Sequence, residues 1–440
     1  MGFVTVQSFE TKSDDDIENT PRGSTPLNPT IYAPVAELAD APGLGPGPSG
    51  CRFNSCRAHH FPEPIYMGSG NLLRRFIAIM NNYSQFFNLG NISKEEKEAL
   101  KTNHIYKKKV NDIIKESRAK TKLSYCYYCE KEVTSFCKSH SIPSSILKNI
   151  AHNGKVLTLN SLIDNPLLDD QKGVNDAGTF KIICRECDSS IFSDYENPNN
   201  YTAKPTQKML SQIAFKNNLI AISKRKTEMQ MRDLETEIRP DMSSFLGYKN
   251  MVSKLDLNEF EKGFQKAKKA INKNSTNDYY LCYYKKLDYV VPLAFQSYVA
   301  LLCDFEGNTI NDIYNYSSDY DIKYINICIF PFENESVIFM FIENGDKRYR
   351  SFYKQFNKLP LDEQLAALTF IIFAYSEEVY LSNSIISVIK DKQLCDIGKQ
   401  TTEVFAFDYN KSPLGEAKQA HDLNKRNEIP NLLSYQYKLR

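Results

Sequence analysis

The 440-residue sequence lacks a long apolar run, an excess of either charge, and any tryptophan. Its longest strongly apolar stretch, residues 365–375, is too short to cross a membrane, because an α-helical span needs about 20 residues. With 55 Lys and Arg against 53 Asp and Glu, the net charge is +2, so no overall field attracts the chain to nucleic acid or to an anionic membrane. The absence of tryptophan, beside 27 tyrosines and 26 phenylalanines, excludes no function.

The sequence also lacks a glycine-rich phosphate loop, a Gly-x-Ser-x-Gly elbow and a dinucleotide fingerprint, which argues against the enzyme families that those motifs define. It contains no internal repeat. It has no secretion signal at its start, so we expect a cytoplasmic location without membrane association. In a reducing compartment the 11 cysteines would remain thiols or metal ligands. Their spacing is therefore the main clue to function.

Residues 1–66 hold nine of the 19 prolines and show no helical or strand period, which predicts a disordered segment. Within it, residues 35–59 resemble the in-frame translation of a bacterial leucine tRNA gene. We therefore expect the segment to be non-native upstream translation and the natural start to be internal, at Met67 or Met80. A gene beside a tRNA gene would also suit a mobile element.

The remaining sequence predicts an α+β, multidomain protein. Its predicted segments are a basic helical segment at 67–125, a cysteine-containing module at 126–200, a helical connector at 201–275, an α+β domain at 276–408 and a polar, frayed tail at 409–440. In the α+β domain a period of two predicts antiparallel strands over 279–284, 289–293, 324–332, 337–342 and 348–353. An apolar helix over 361–381 is expected to pack on that sheet.

Two C-x2-C pairs, Cys126-Tyr-Tyr-Cys129 and Cys184-Arg-Glu-Cys187, lie in the cysteine-containing module. A tetrahedral Zn²⁺ is commonly held by four cysteine sulfurs supplied as two such pairs. The pairs therefore predict one structural zinc site formed by Cys126, Cys129, Cys184 and Cys187. An alternative is a compact C-x2-C-x7-C-x2-H site formed by Cys126, Cys129, Cys137 and His140.

Two further motifs accompany the cysteine pairs: Ser139-His140-Ser-Ile142-Pro143, and Cys187-Asp188-x-x-x-Phe192-Ser193-x-x-Glu196. In order and spacing, residues 126–196 resemble the zinc-supported HNH (ββα-metal) nucleases, and more closely a divergent bacterial branch with the same two motifs. The resemblance covers about a sixth of the chain. Ser139 stands where the family often has Asp, and Thr179 stands near the place of its middle Asn.

The resemblance implies a metal-dependent endonuclease that hydrolyses phosphodiester bonds in nucleic acid, with DNA the expected form. His140 would be the general base, and Asp188 would hold a catalytic Mg²⁺ or Mn²⁺. Glu196 would support the site or cap a helix. The expected phosphate contacts are Lys107, Lys108, Lys109 and Arg185.

Two other functions fit the same sequence. The zinc module could be a non-catalytic unit that binds nucleic acid or protein, since two polar positions of the family are altered. Alternatively, the zinc module could be only a scaffold, with the function in the C-terminal domain. In the nuclease interpretation, that domain would recognise a target, a protein partner or a phage trigger, as in a mobile-element or phage-defence nuclease.

Overall fold

The computed structural model of the chain describes residues 104–163, 169–238, 240, 243–273, 275–317, 319–400 and 412–440. The predicted disordered segment 1–66 and the two expected start positions, Met67 and Met80, lie outside the described residues. The architecture is mixed helix and antiparallel sheet, which agrees with the predicted α+β class.

Helices lie both before and after the strands of the main sheet. The α-helices are α1 (His104–Lys120), α2 (Ser144–Ile150), α3 (Asn160–Ile163), α4 (Arg185–Ile191), α5 (Ser193–Glu196), α6 (Gln207–Ile238), α7 (Ser243–Lys273), α8 (Arg350–Phe356), α9 (Leu361–Tyr375), α10 (Lys392–Gln400) and α11 (Pro413–Ala420). Short 3-10 helices cover Pro198–Thr202, Asn383–Ile385, Leu423–Glu428 and Tyr435–Tyr437.

The strands form one large and one very small sheet. They are β1 (Ser139–His140), β2 (Lys155–Thr158), β3 (Gln171–Gly173), β4 (Thr179–Phe180), β5 (Tyr279–Leu287), β6 (Leu293–Val299), β7 (Ile325–Pro331), β8 (Ser336–Glu343) and β9 (Val379–Leu381). Strands β1 and β4 pair alone, and the seven others form an antiparallel sheet in the order β3-β2-β9-β6-β7-β8-β5.

The large sheet is buried on both faces, because successive residues of its central strands contribute to two different cores. On β7, Ile327 and Ile329 join the core that contains α8 and α9. The intervening Cys328 and Phe330 join the core that contains α2, α6, α7 and the cysteine-containing module. The central strands are therefore almost continuously apolar rather than alternating.

Two strands of the large sheet come from inside the cysteine-containing module. Leu157 of β2 pairs with Leu381 of β9, and β3 follows at the sheet edge. Residues 126–200 therefore share hydrogen-bonded strands with the C-terminal half of the chain. This pairing ties the small β1–β4 ladder closely to the main body of the protein.

Four segments differ from the sequence expectations. Of the strand expected over 289–293, only Leu293 lies in a strand, and the helix expected over 361–381 ends at Tyr375, before β9. Residues 348–353, expected as a strand, fall mostly in helix α8, and buried Phe352 and Phe356 recur at helical spacing after the buried N-cap residue Tyr349. The end of the expected frayed tail is bonded to the connection between β5 and β6: the Val290 N–H donates to the Arg440 carbonyl at 2.9 Å, and the Leu439 N–H donates to the Val290 carbonyl at 2.8 Å. Leu432 and Leu433, which are fully buried, explain this packing.

No helix in the described ranges combines the length and the apolar character that a membrane span requires.

Candidate metal centre and neighbouring polar site

The sulfur atoms of Cys126, Cys129, Cys184 and Cys187 all lie within 4.8 Å of one another. At a Zn–S distance of about 2.3 Å, the sulfurs of a tetrahedral site would be about 3.8 Å apart. The four thiols therefore fit a structural zinc ion. Cys137 and His140 lie outside this group, so the alternative compact site of Cys126, Cys129, Cys137 and His140 is not the arrangement found.

Backbone hydrogen bonds hold the two cysteine pairs together. The Tyr127 N–H donates to the Ile182 carbonyl at 2.9 Å, and the Cys184 N–H donates to the Cys126 sulfur at 3.3 Å. Burial opposes ionisation of Cys126, but backbone hydrogen bonds from Cys129, Cys184 and Tyr128 outweigh it and lower the pKa of its thiol to about 7. A thiolate is the form that binds metal, so these donors favour zinc binding.

The first cysteine pair docks on the two long helices. The Tyr127 hydroxyl donates to the Glu261 carboxylate of α7, and the Lys226 ammonium of α6 lies 4.6 Å from the Tyr127 ring centre. The Tyr128 ring meets Phe215 edge-on at 5.6 Å. The two tyrosines between the cysteines thus anchor the metal centre to α6 and α7.

His140 lies on the two-stranded ladder, where it pairs with Thr179, while Ser139 pairs with Phe180. Gly178 precedes β4 with φ of +63°, and its carbonyl accepts a hydrogen bond from Ser141 N at 2.8 Å. A side chain at Gly178 would overlap the Ser141 hydroxyl, so this position needs both the left-handed backbone and the missing Cβ.

The imidazole of His140 is half-buried, and its Nε2 lies 3.1 Å from the Val174 carbonyl oxygen. A carbonyl only accepts, so Nε2 carries the proton and Nδ1 holds the lone pair in the neutral ring. Burial lowers the pKa of His140, and the charge of Lys216 lowers it further, while the Val174 carbonyl and Glu196 act in the opposite direction. The neutral ring is therefore the dominant form at pH 7.

Asp188, on α4 directly after the second cysteine pair, is bonded to the β1 strand. The Ser139 hydroxyl donates to Asp188 Oδ1 at 2.5 Å, and the Cys137 thiol donates to Asp188 Oδ2 at 3.2 Å. Burial and the Asp188 carboxylate raise the pKa of Cys137 to about 11, so this thiol stays protonated as a donor. The Ser139 hydroxyl thus orients Asp188.

A buried lysine that the sequence analysis did not identify completes the polar site. Lys216 on α6 is fully buried, and its ammonium lies 2.5 Å from Glu196 Oε1 and 3.8 Å from the Phe192 ring centre. Glu196 is thus an ion-pair partner. The sequence spacing indicates burial of Lys216, because it lies three residues after Ile213 and three before Leu219, on the apolar side of its helix.

The expected phosphate-contacting residues lie on exposed surfaces where they are described. Arg185 is the exposed first residue of α4. Lys108 is exposed on α1, whereas the side chains of Lys107 and Lys109 lie outside the described part.

Comparisons of the chain with protein-family models, with curated proteins and with solved structures find no match.

Proposed function

We propose that the protein is a zinc-supported, HNH-like endonuclease that hydrolyses phosphodiester bonds in nucleic acid, with DNA as the expected substrate. The observation that carries the proposal is the hydrogen bond from Ser139 to Asp188, next to the four clustered thiols. It joins the strand that holds His140 to the helix that follows the second cysteine pair. A short antiparallel ladder followed by a helix supports the proposed ββα-metal arrangement.

His140 is the proposed general base. The Val174 carbonyl fixes its tautomer, so that Nδ1 is the nitrogen able to take a proton from an attacking water. The lowered pKa of His140 keeps this nitrogen unprotonated near neutral pH. Arg185 and Lys107, Lys108 and Lys109 are the proposed contacts to the phosphate backbone.

Asp188 is the proposed ligand of a catalytic Mg²⁺ or Mn²⁺. Each of its oxygens accepts one hydrogen bond, and a carboxylate offers about four acceptor positions, so the group retains capacity for a hard cation. A divalent ion bound there would stabilise the charge that develops on the phosphate. The C-terminal half would recognise a target or a phage-derived trigger, in a mobile-element or phage-defence role.

The test is incubation of the purified, zinc-loaded protein with plasmid DNA and with RNA, in Mg²⁺, in Mn²⁺ and in EDTA. We expect cleavage that depends on the divalent ion, and loss of at least about 100-fold in rate for His140→Ala, the usual range for a general base. His152→Ala is the matched control, because His152 is an exposed histidine of the same module. A His140→Ala protein that retains zinc and cuts as fast as the unsubstituted protein would refute the assignment.

A second candidate function is a non-catalytic zinc module that binds nucleic acid or protein. The observation in its favour is that both Asp188 oxygens and the His140 Nε2 already have partners within the protein. This alternative predicts binding of nucleic acid in a mobility-shift assay without cleavage in either metal.

A further inference from the structure

The thiol of Cys137 lies beside the carboxylate of Asp188 and is not a member of the four-cysteine cluster. Its sulfur is 3.2 Å from Asp188 Oδ2, while the Ser139 hydroxyl donates to the other oxygen, Oδ1, at 2.5 Å. The serine therefore holds the carboxylate so that Oδ2 faces the sulfur. A thiol and a carboxylate, both of them metal-binding groups, converge at this point.

Backbone hydrogen bonds hold both side chains in place. The Cys137 N–H donates to the Ile183 carbonyl at 2.9 Å, just before the second cysteine pair. The Asp188 N–H donates to the Cys184 carbonyl at 2.9 Å, in the first turn of α4. Cys137 and Asp188 are only half-buried, so an ion from solvent can reach them. Little ordering of the two groups is needed for an ion to bind, which favours affinity.

The distance between the sulfur and the oxygen fits two ligands of one metal ion. A Zn²⁺ ion binds cysteine sulfur at about 2.3 Å and carboxylate oxygen at about 2.0–2.2 Å. At ligand angles of about 90–110°, those two atoms would be about 3.1–3.6 Å apart. The observed 3.2 Å lies within this range, so an ion can replace the thiol proton with little movement of either side chain.

The chemistry of the two groups favours a transition metal over Mg²⁺. Thiolates bind Zn²⁺ and similar ions, whereas Mg²⁺ takes oxygen ligands. One thiolate and one carboxylate also cancel the charge of a divalent ion, which suits a half-buried site. Of the two cations that act on the thiol, Lys216 is paired with Glu196, and Arg185 is exposed to screening by water.

We propose that Cys137 and Asp188 together bind one divalent transition-metal ion of the class of Zn²⁺ or Co²⁺, separately from the four-cysteine cluster. The metal–sulfur bond forms as the thiol releases its proton to solvent. The proposal deepens the proposed function, because it adds a ligand to the site assigned to Asp188 and names the class of ion. It rests on the proposed function only for the assignment of Asp188 as a metal ligand.

The test is a titration with Co²⁺ in the absence of nucleic acid, followed by absorption. With two protein ligands against four, the new site should bind more weakly than the four-cysteine cluster, so dialysed protein retains one zinc ion per chain at the start. Cobalt bound to a thiolate gives a near-ultraviolet charge-transfer band, whereas cobalt bound by oxygen ligands alone does not. We expect the band to saturate at one cobalt ion per chain, with zinc content unchanged, and to persist in millimolar Mg²⁺. Absence of the band, or its growth only as zinc is lost, would overturn the proposal.

Cys137→Ser connects the band to this sulfur. The serine hydroxyl can still donate to Asp188, so the substitution removes the sulfur and retains a hydrogen-bond donor. We expect loss of the band and at least about 10-fold weaker Co²⁺ binding by calorimetry, since loss of even an outer-shell partner weakens metal affinity by about 10–100-fold. Cys395→Ser, which changes a half-buried cysteine of α10, is the matched control and should keep both. An unchanged band in Cys137→Ser would overturn the proposal.

Failure of this proposal is distinguishable from failure of the proposed function. A cobalt band that depends on Cys137, without cleavage of any nucleic acid, would support the metal site and count against the nuclease. Mg²⁺-dependent cleavage that is equally fast in Cys137→Ser, with no band in the unsubstituted protein, would overturn the metal site and leave the nuclease intact.

Discussion

The buried ion pair between Lys216 and Glu196 predicts that substitution of Glu196 will lower the free energy of unfolding much more than substitution of Lys216. The Lys216 side chain is 0% exposed, whereas that of Glu196 is 35% exposed. Removal of the carboxylate would leave a buried ammonium without its partner. Removal of the ammonium would leave a carboxylate that water already reaches.

The structure sets the expected magnitudes. Loss of one partner that leaves the other charge buried costs about 3–5 kcal/mol of unfolding free energy, which is the expectation for Glu196→Ala. Lys216→Met keeps most of the buried aliphatic stem and loses mainly the cation–π contact with Phe192, which contributes about 0.5–2 kcal/mol. We therefore expect Lys216→Met to cost no more than about 2 kcal/mol.

Urea denaturation of zinc-loaded protein, followed by circular dichroism, measures both variants at pH 7. Glu333→Ala, an exposed glutamate at the β7–β8 turn, is the control for loss of a surface carboxylate. The double variant should resemble Lys216→Met, because removal of the ammonium relieves the penalty of Glu196→Ala. Equal destabilisation by the two single substitutions would refute the claim that burial of the lysine controls the energetics of this pair.

Three other perturbations have defined expected outcomes. Cys184→Ser should reduce zinc content from one ion per chain to near zero and lower the melting temperature, measured by atomic absorption and calorimetry; full zinc retention would contradict the four-cysteine site. Gly178→Ala should lower the free energy of unfolding by about 2–4 kcal/mol, because backbone strain adds to overlap with Ser141. Gly345 has φ of +86° but open space around it, so Gly345→Ala should lower it by only about 1–2 kcal/mol. Urea denaturation measures both variants. Burial lowers the pKa of His421 to about 4, so the unfolded chain binds more protons between pH 6.5 and 4 and stability should fall by about 3 kcal/mol over that interval. Denaturation of His421→Gln at pH 7 and pH 4 should show a smaller fall in the free energy of unfolding than the unsubstituted protein shows. An equal fall in the two proteins would exclude His421 as its source.

The sequence was sufficient to predict features that depend on local spacing. The C-x2-C pairs predicted which four cysteines meet, because one ion needs four ligands and each pair supplies two from a tight turn. A period of two predicted β5, β7 and β8 to within a few residues. The strand predicted by a period of two over 348–353 was wrong, because Tyr349, Phe352 and Phe356 follow a helical period.

Long-range pairings were not predictable in the same way. Strands β2 and β3 are only four and three residues long, and β9, the second partner of β2, follows more than 200 residues later in the chain. Neither the Lys216–Glu196 pair nor the buried amide chain, in which the side chains of Gln296, Asn217 and Asn326 are hydrogen-bonded in turn, has a spacing rule, since each depends on the packing of α6 against other elements.

Helix α6 connects these findings, because consecutive residues on it face different parts of the molecule. Residues 216 and 217 are about 100° apart around the helix axis, so Lys216 reaches the polar site while Asn217 reaches the sheet and the amide chain. On the same helix, the Phe215 ring contacts the ring of Tyr128, which lies between the cysteines of the first pair. Three adjacent residues of one helix thus contact Tyr128 beside the metal centre, the polar site around Glu196, and the buried amide chain at the sheet. A shift of α6 would therefore alter all three together, whereas a substitution confined to one face would alter only one of them.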